Sequence, residues 1–490
     1  MKTGGTGTES ASADSLSAEG MRDPAAISDR ALPAAPDFGH PRFPELGRGV
    51  DFAARGEAMH AWITEVFPLC RSITGEGLRA TFRSLNALLP LEIQEVPTGA
   101  AVFDWRVPKE WNIREAWIKA PDGRKLADFR NNNLHVVGYS APVRARMSLA
   151  DLKPHLHSLP GHPEWIPYRT SYYDESWGFC LPDAELQALP EGEYEVLIDS
   201  SLRDGSLTYA EHVVPGDSQD QILIWCHSCH PSLANDNLSG MAAGAFLARY
   251  LGEISAAGAR LRHTYRFVFA PATIGAIVWL SRNRSDTHLI RHGLVLSLLG
   301  DSGPFTYKRS RRGDAGIDLA VARSLGESGA AHSVEDFSPF GYDERQFCSP
   351  GFDLPVGCLM RTPHGRFPEY HTSADNPDFV KPASLGESLR RLIAVVGDLE
   401  CNGTFLNANP FCEPQLGRRG LYKAVGNRPD PGAEAMAMLW VLNLSDGSRS
   451  LSDIADRAGI RFPAVVRAAA TLLFHGLLTE SGGGLEKGPS

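Results

Sequence analysis

The chain has 490 residues, 43% of them hydrophobic and 22% charged, with 48 Lys plus Arg against 58 Asp plus Glu for a formal charge of −10. That length points to about two to four domains and buries a large core without disulfide staples. The composition excludes collagen-like, coiled-coil and wholly disordered classes, and the acidic balance argues against a broad phosphate-binding surface.

Residues 1–45 are rich in Gly, Ser, Ala, Asp and Pro. Such a segment cannot repay its ordering entropy, so a disordered N-terminal tail is expected. It contains no apolar h-region, so no secretory signal is read there. The eight cysteines are scattered, which suggests free thiols in a reducing compartment. No run approaches 18 apolar residues, so a cytoplasmic location without membrane contact is expected.

Two amphipathic helices are predicted at 53–67 and 77–89, separated by CRSITG. Short apolar runs broken by turns follow to residue 223, predicting a β-rich region. From residue 221 strand and helix alternate: strand 222–225, helix 240–250, strand 265–270, helix 274–283, strand 292–299. That alternation predicts an α/β sheet with flanking helices. A further helix is expected at 383–399, and 401–432 reads as linker. The tail offers helices at 435–442, 450–458 and 463–475 and then GLLTE, a winged-helix pattern. DNA-binding versions need a basic third helix. Here Arg449, Arg457, Arg461 and Arg467 face Glu434, Asp446, Asp453, Asp456 and Glu480. The balance argues against nucleic acid and for a packing or oligomerisation module, which leaves a homo-oligomer open.

The richest passage is ILIWCHSCHPSLANDNLSG, residues 222–240. A strand ends in two His and two Cys, and Asp236 follows just before a helix. Open α/β sheets place their sites there. Cys226-His-Ser-Cys229-His230 matches a c-type haem motif, but haem attachment is extracytoplasmic and Cys226 continues a buried strand. A Cys-rich structural zinc lacks a second ligand pair nearby. Satisfied core histidines would explain one His better than a cluster. A hydrolytic zinc site explains the cluster, with His227 and Asp236 as ligands and others at later strand ends. Asp301, closing SLLGD, and His371, in PEYHTSADN, fit that place.

His227, Asp236-Asn237, Ser239-Gly240, Asp301, SPFGYDER and Tyr370-His371-Thr372 occur in the order seen in M28 zinc aminopeptidases. The chain more closely resembles the DUF4910 aminopeptidase-like proteins, through CRSITGEGLR, FDWRVPKEWNI, NNNLHVVGYSAPV, IPYRTSYYDESWGFC, CHPSLANDNLSG, TYKRSRRGD and RTPHGRFPEYHTSADN. The resemblance implies an M28-like α/β core (46–98 and 205–415), an inserted β-rich domain (99–204) and a C-terminal winged helix (430–485). It implies His227, Asp236, Asp301 and His371 as metal ligands, with Asp236 bridging in two-zinc relatives.

Three departures bear on catalysis. Cys229 stands where M28 enzymes place an Asp that orients the first His. Thr273 replaces a ligand Glu, and Ala272 stands where the family keeps its general base. A methyl group takes no proton, and such a base is typically worth about 10²–10⁴-fold. One zinc rather than two is therefore expected. Glu344, Asp343 and Glu369 are candidate replacement bases, each weighed against a salt-bridge or surface role. Arg345 and Tyr370 are candidates to hold a substrate carboxylate or oxyanion. His230 is read mainly as a proton donor or structural group. Tyr172, Tyr173 and Trp177 are candidate pocket walls, with core packing as the plainer reading. The basic run 308–312 is a solvated loop or an anion site. The leading expectation is a zinc-dependent aminopeptidase-like hydrolase of an amide bond in a small peptide or conjugate. The alternatives are a catalytically impaired zinc-pocket binding protein and a winged-helix regulator with an enzyme-like sensor.

Overall fold

The computed structural model describes residues 42–421 and 432–481. The tail read as disordered lies almost wholly outside the described residues. The core is an eight-stranded mixed sheet. Its strands run, in spatial order, Glu92–Pro97, Ser206–Val214, Thr264–Ala270, Gln221–His227, Ile290–Leu296, Val356–Met360, Phe305–Lys308 and His332–Glu335. The central four, Thr264–Ala270 to Val356–Met360, are parallel, and antiparallel pairings lie outside them.

Alternation along Gln221–His227 splits its side chains between two cores. Ile222, Ile224 and Cys226 pack with helices Phe52–Val66, Gly240–Ala256 and Pro382–Cys401. Leu223 and Trp225 pack on the other face with helix Ile274–Arg282. A strand buried on both faces reads as a continuous apolar run, as this one does. Gly240 opens its helix beside the site. A Cβ there would collide with the Asn237 side chain and the Leu296 carbonyl, so only glycine allows this approach.

Between the first two core strands, residues 99–204 build their own antiparallel sheet. Its order is Lys125–Leu126, Glu110–Lys119, Glu193–Arg203, Val143–Ser148. At the C-terminus, helices Ala433–Leu444, Leu451–Ala458 and Phe462–Phe474 pack on a three-stranded sheet. Strand Thr404–Asn407, in the stretch read as linker, is the central strand of that sheet. The start of helix Phe462–Phe474 is covered. Phe462 is buried beneath the Arg323 guanidinium of the core, 4.6 Å from its ring centroid. A DNA-reading helix needs that end free. All eight cysteines are free. No helix among the described residues is long and apolar enough to cross a membrane.

Glu400 anchors the last helix of the core, just before this tail. Buried at the end of helix Pro382–Cys401, it accepts from Arg262 N (2.6 Å), His263 N (3.2 Å) and Tyr265 OH (2.7 Å). Glu400→Ala would strand three buried donors at about 1–3 kcal/mol each. We expect a loss of about 3 kcal/mol in urea unfolding.

His263 and His292 lie side by side at this seam, ring centroids 6.1 Å apart. Burial, aided by the Arg262 charge, pushes His263 down to about 3 and His292 to about 4. Both stay neutral in the fold while the unfolded chain takes up protons below about pH 6.5. Their contribution is therefore full above that pH and lost as pH falls toward the folded values. Each ring adds a slope of up to about 1.4 kcal/mol per pH unit. The double variant His263→Gln/His292→Gln should flatten stability against pH between about 6 and 4.5, read by urea midpoints.

Candidate metal centre

Strand Gln221–His227 delivers His227, fully buried, to the carboxyl end of the parallel sheet. The chain turns and returns Asp236, also fully buried, just before helix Gly240–Ala256. Asp236 reaches two imidazoles at once. His227 Nε2 lies 2.8 Å from Oδ1 and His371 Nε2 lies 2.9 Å from Oδ2. His230 closes the group. Ligand atoms of His227, His230 and Asp236 all lie within 4.8 Å of one another. The His230 ring sits 5.1 Å from both the His227 and His371 rings.

Two ligands of one tetrahedral zinc are about 3.3 Å apart, so small shifts admit an ion. Three imidazoles and a carboxylate are a donor set zinc accepts. The charge states suit it too. Burial works against the Asp236 charge, but His230, His227 and His371 outweigh it and hold the carboxyl well below its usual range. Burial pushes His230 down to about 3, leaving a neutral ring with a lone pair to give.

The surrounding shell is dense. The Asn237 amide nitrogen lies 3.2 Å from His227 Nδ1 and also donates to the His227 and Leu296 carbonyls. Ring orientation thus comes from Asn237 rather than residue 229. Cys229 is a buried thiol, pushed up to about 12 by burial, and its sulfur lies 3.7 Å from the Ala272 carbonyl. Asp375 accepts from the backbone of Asn235 (2.5 Å) and Asp236 (2.9 Å), fixing the acidic loop. Burial raises its carboxyl to about 7. Arg71, buried, donates to the carbonyls of His230 (2.8 Å) and Val66 (2.6 Å).

The inserted domain reaches the centre as well. Tyr168 N–H donates to the His371 carbonyl at 2.8 Å, and Ser373 N–H donates to Ile166 O at 2.8 Å. His371 sits at φ 57°, a conformation that persists only when its surroundings hold it. The Tyr168 ring stands edge-on to His371 (5.0 Å) and His230 (5.3 Å).

The other expected site residues are placed differently. Asp301 does not join the cluster. Its Oδ1 accepts from Thr362 Oγ1 and Gly303 N, each at 2.7 Å, and its Oδ2 from Asn235 Nδ2 at 3.1 Å. It braces the loop beside Asp236, and His230 stands in the cluster where Asp301 was expected. Glu344 is fully buried with Lys308 Nζ 2.5 Å from its Oε1. Asp343 accepts from Trp225 Nε1 at 2.7 Å, and burial raises it to about 6. Glu369, next to Tyr370-His371, is half-buried, with no side-chain partner among the described residues. Tyr370 stacks on His371 at 3.9 Å. Arg345 Nη2 lies 3.4 Å from Thr273 Oγ1. Tyr172 bonds the Tyr168 hydroxyl at 2.9 Å, whereas Tyr173 packs on Trp105 and Trp177 on His155. In the basic run, Arg311 and Arg312 pair with Asp353. Tyr168 and Asp375 were not singled out from sequence, although both lie inside quoted motifs, and Asn237 was named only as part of its motif.

Residues 60–402 match the family model described as domain of unknown function (DUF4910). The chain belongs to the DUF4910 family. Residues 403–480 match a winged helix-turn-helix model. A Clostridium acetobutylicum protein named for polysaccharide biosynthesis and an aminopeptidase-like domain is 48% identical over 417 residues, covering 85% of this chain and 95% of that one. A crystal structure of a peptidase so described from Clostridium acetobutylicum aligns at TM-score 0.82 and 46% identity, over 88% of this chain and 97% of that one. The zinc aminopeptidase BSAP of Bacillus subtilis aligns at TM-score 0.53 and 11% identity, over 70% and 94%. This DUF4910 chain thus has an M28-like aminopeptidase core, an inserted β-rich domain and a C-terminal winged helix.

Proposed function

We propose that this DUF4910 protein is a zinc-dependent hydrolase of an amide bond in a small peptide or conjugate. The observation that carries this is Asp236 in contact with both His227 and His371, with His230 within ligand reach. His227, His230 and Asp236 would hold one zinc ion with a coordination position left open, and His371 bonds the other Asp236 oxygen. A zinc ion there supplies Lewis-acid polarisation of the scissile carbonyl. Asn237 holds the His227 ring, and Tyr168 holds the His371 backbone in its left-handed conformation. Glu369 is the carboxylate free to accept a proton, since Glu344 is engaged by Lys308. Arg345 and Tyr370 would orient the substrate's polar end. The relative named for polysaccharide biosynthesis makes an amide on a sugar conjugate part of the substrate range to test.

The test is metal analysis of purified full-length protein beside hydrolysis of amino-acid amides, small peptides and N-acyl amino sugars. One zinc per chain, and turnover lost in His227→Ala, are expected. No zinc, with activity indifferent to His227→Ala, would reject the reading. A second reading, a zinc-pocket binding protein without turnover, is favoured by Ala272 and Thr273 in place of two glutamates. Robust native turnover would reject that one.

A further inference from the structure

A small cavity of ≈ 160 Å³ lies beside the metal centre, and its charges are already balanced. Tyr342 forms the shared wall. Its ring stacks on His227 at 5.3 Å and 18°, and it also lines the cavity. At the base is Glu344, fully buried, with Lys308 Nζ 2.5 Å from Oε1. Lys308 also donates to the Phe340 carbonyl at 2.5 Å. At the rim Arg366 pairs with Glu335 at 2.5 Å. Two positive and two negative side chains therefore cancel.

Buried polar atoms in this cavity wall without a hydrogen-bond partner among the described residues include Glu344 Oε2, His364 Nδ1 and the Tyr342 hydroxyl. Leaving a buried carboxylate oxygen unsatisfied is costly, more so than for a neutral group. A cavity that keeps such atoms is built for something that satisfies them. A purely apolar group would leave them unpaired. A charged group would enter a pocket with no net charge to meet it, at a high desolvation cost. What remains is a neutral group offering a donor to Glu344 Oε2 and a second hydrogen-bonding atom to His364.

We propose that this cavity is a specificity subsite for a neutral, hydrogen-bonding side group of the substrate, a carboxamide or a hydroxyl-bearing group. Glu344, Lys308 and His364 are then recognition residues, and Tyr342 is the partition that sets the side group relative to His227. The word substrate rests on the hydrolase reading, but the recognition chemistry does not.

The test is calorimetric binding to the full chain, zinc-loaded and chelator-treated, with four probes: L-glutamine amide, L-homoserine amide, L-methionine amide and L-lysine amide. Glutamine or homoserine amide should bind at least about tenfold tighter than methionine or lysine amide, the worth of one good hydrogen bond. The tighter of the first two distinguishes a carboxamide from a hydroxyl. Glu344→Met and His364→Leu should each erase the preference. If Glu344→Met does not fold, His364→Leu decides alone. Binding of none of the probes, a preference for methionine or lysine amide, or a preference unchanged in the variants would overturn the proposal. Selective binding without hydrolysis in the zinc-loaded protein would support the subsite while rejecting the hydrolase reading.

Discussion

Asp236→Asn should strip the chain of zinc. The native carboxylate touches His227 Nε2 with one oxygen and His371 Nε2 with the other, so it is the hub of the cluster. The amide is isosteric but neutral. It cannot offer two anionic oxygens, and its nitrogen points a donor at one imidazole. Changing an outer partner of a metal ligand already costs about 10–100-fold in affinity. Losing a ligand's charge and one of its acceptors should cost more than about 100-fold. Zinc content after dialysis at neutral pH should fall from about one ion per chain to near zero, with hydrolysis falling alongside it. The fold should survive, because Asp375 still holds the backbone of residues 235 and 236. Zinc retained at full stoichiometry would mean that the ion sits elsewhere. Wild-type zinc affinity in Asp301→Asn, with loop stability reduced, would separate the brace from the ligands.

The ends of the site were legible in sequence because they follow from strand logic. A buried apolar run ending in His, then an acidic turn into a helix, puts His227 and Asp236 at the carboxyl edge of a sheet. The same logic placed Asp301 at the end of the next strand, where its side chain turns to Thr362 and Gly303. Sequence locates a residue at a strand end but not the direction its side chain takes. After Ile290–Leu296 the backbone turns through Leu298 at φ 51° and sends Asp301 toward Thr362. His230 was read mainly as a proton donor or structural group, and its reach to His227 and Asp236 depends on how the turn after His227 folds back. Tyr168 could not be found by local pattern. Its role comes from pairing residues 166–168 with 371–373, about 200 positions along the chain. Strand Thr404–Asn407 was hidden likewise, because four residues make a strand only beside partners at 446–450 and 478–480. The winged helix itself was readable, since three short helices in close succession form a local pattern. Ser450, for instance, accepts from Asp453 N and opens the second of them.

Ala272→Glu should raise amide hydrolysis about 10²-fold, chiefly in kcat. Residue 272 lies just past strand Thr264–Ala270, which runs parallel to and beside the strand that ends in His227. The Ala272 carbonyl faces Cys229 Sγ, two residues beyond that His. The side chain is a half-buried methyl, so the position has room but no proton acceptor. General-base help is worth about 10²–10⁴-fold, and the low end is expected if Glu369 serves as the base in the native protein. Arg345 sets a further limit. Its Nη2 lies 3.4 Å from Thr273 Oγ1, and its buried Nε has no partner among the described residues. A new carboxylate one residue away would be drawn to that guanidinium, which lowers its basicity. The double variant Ala272→Glu/Arg345→Gln should therefore gain more than the single one if the substrate does not need Arg345. If it does need Arg345, the double variant should show a higher KM with the kcat gain preserved. Zinc content measured alongside keeps the result unambiguous. An Ala272→Glu protein that binds zinc yet cleaves no amide would leave the missing glutamate irrelevant, and the pocket would then be one for binding alone.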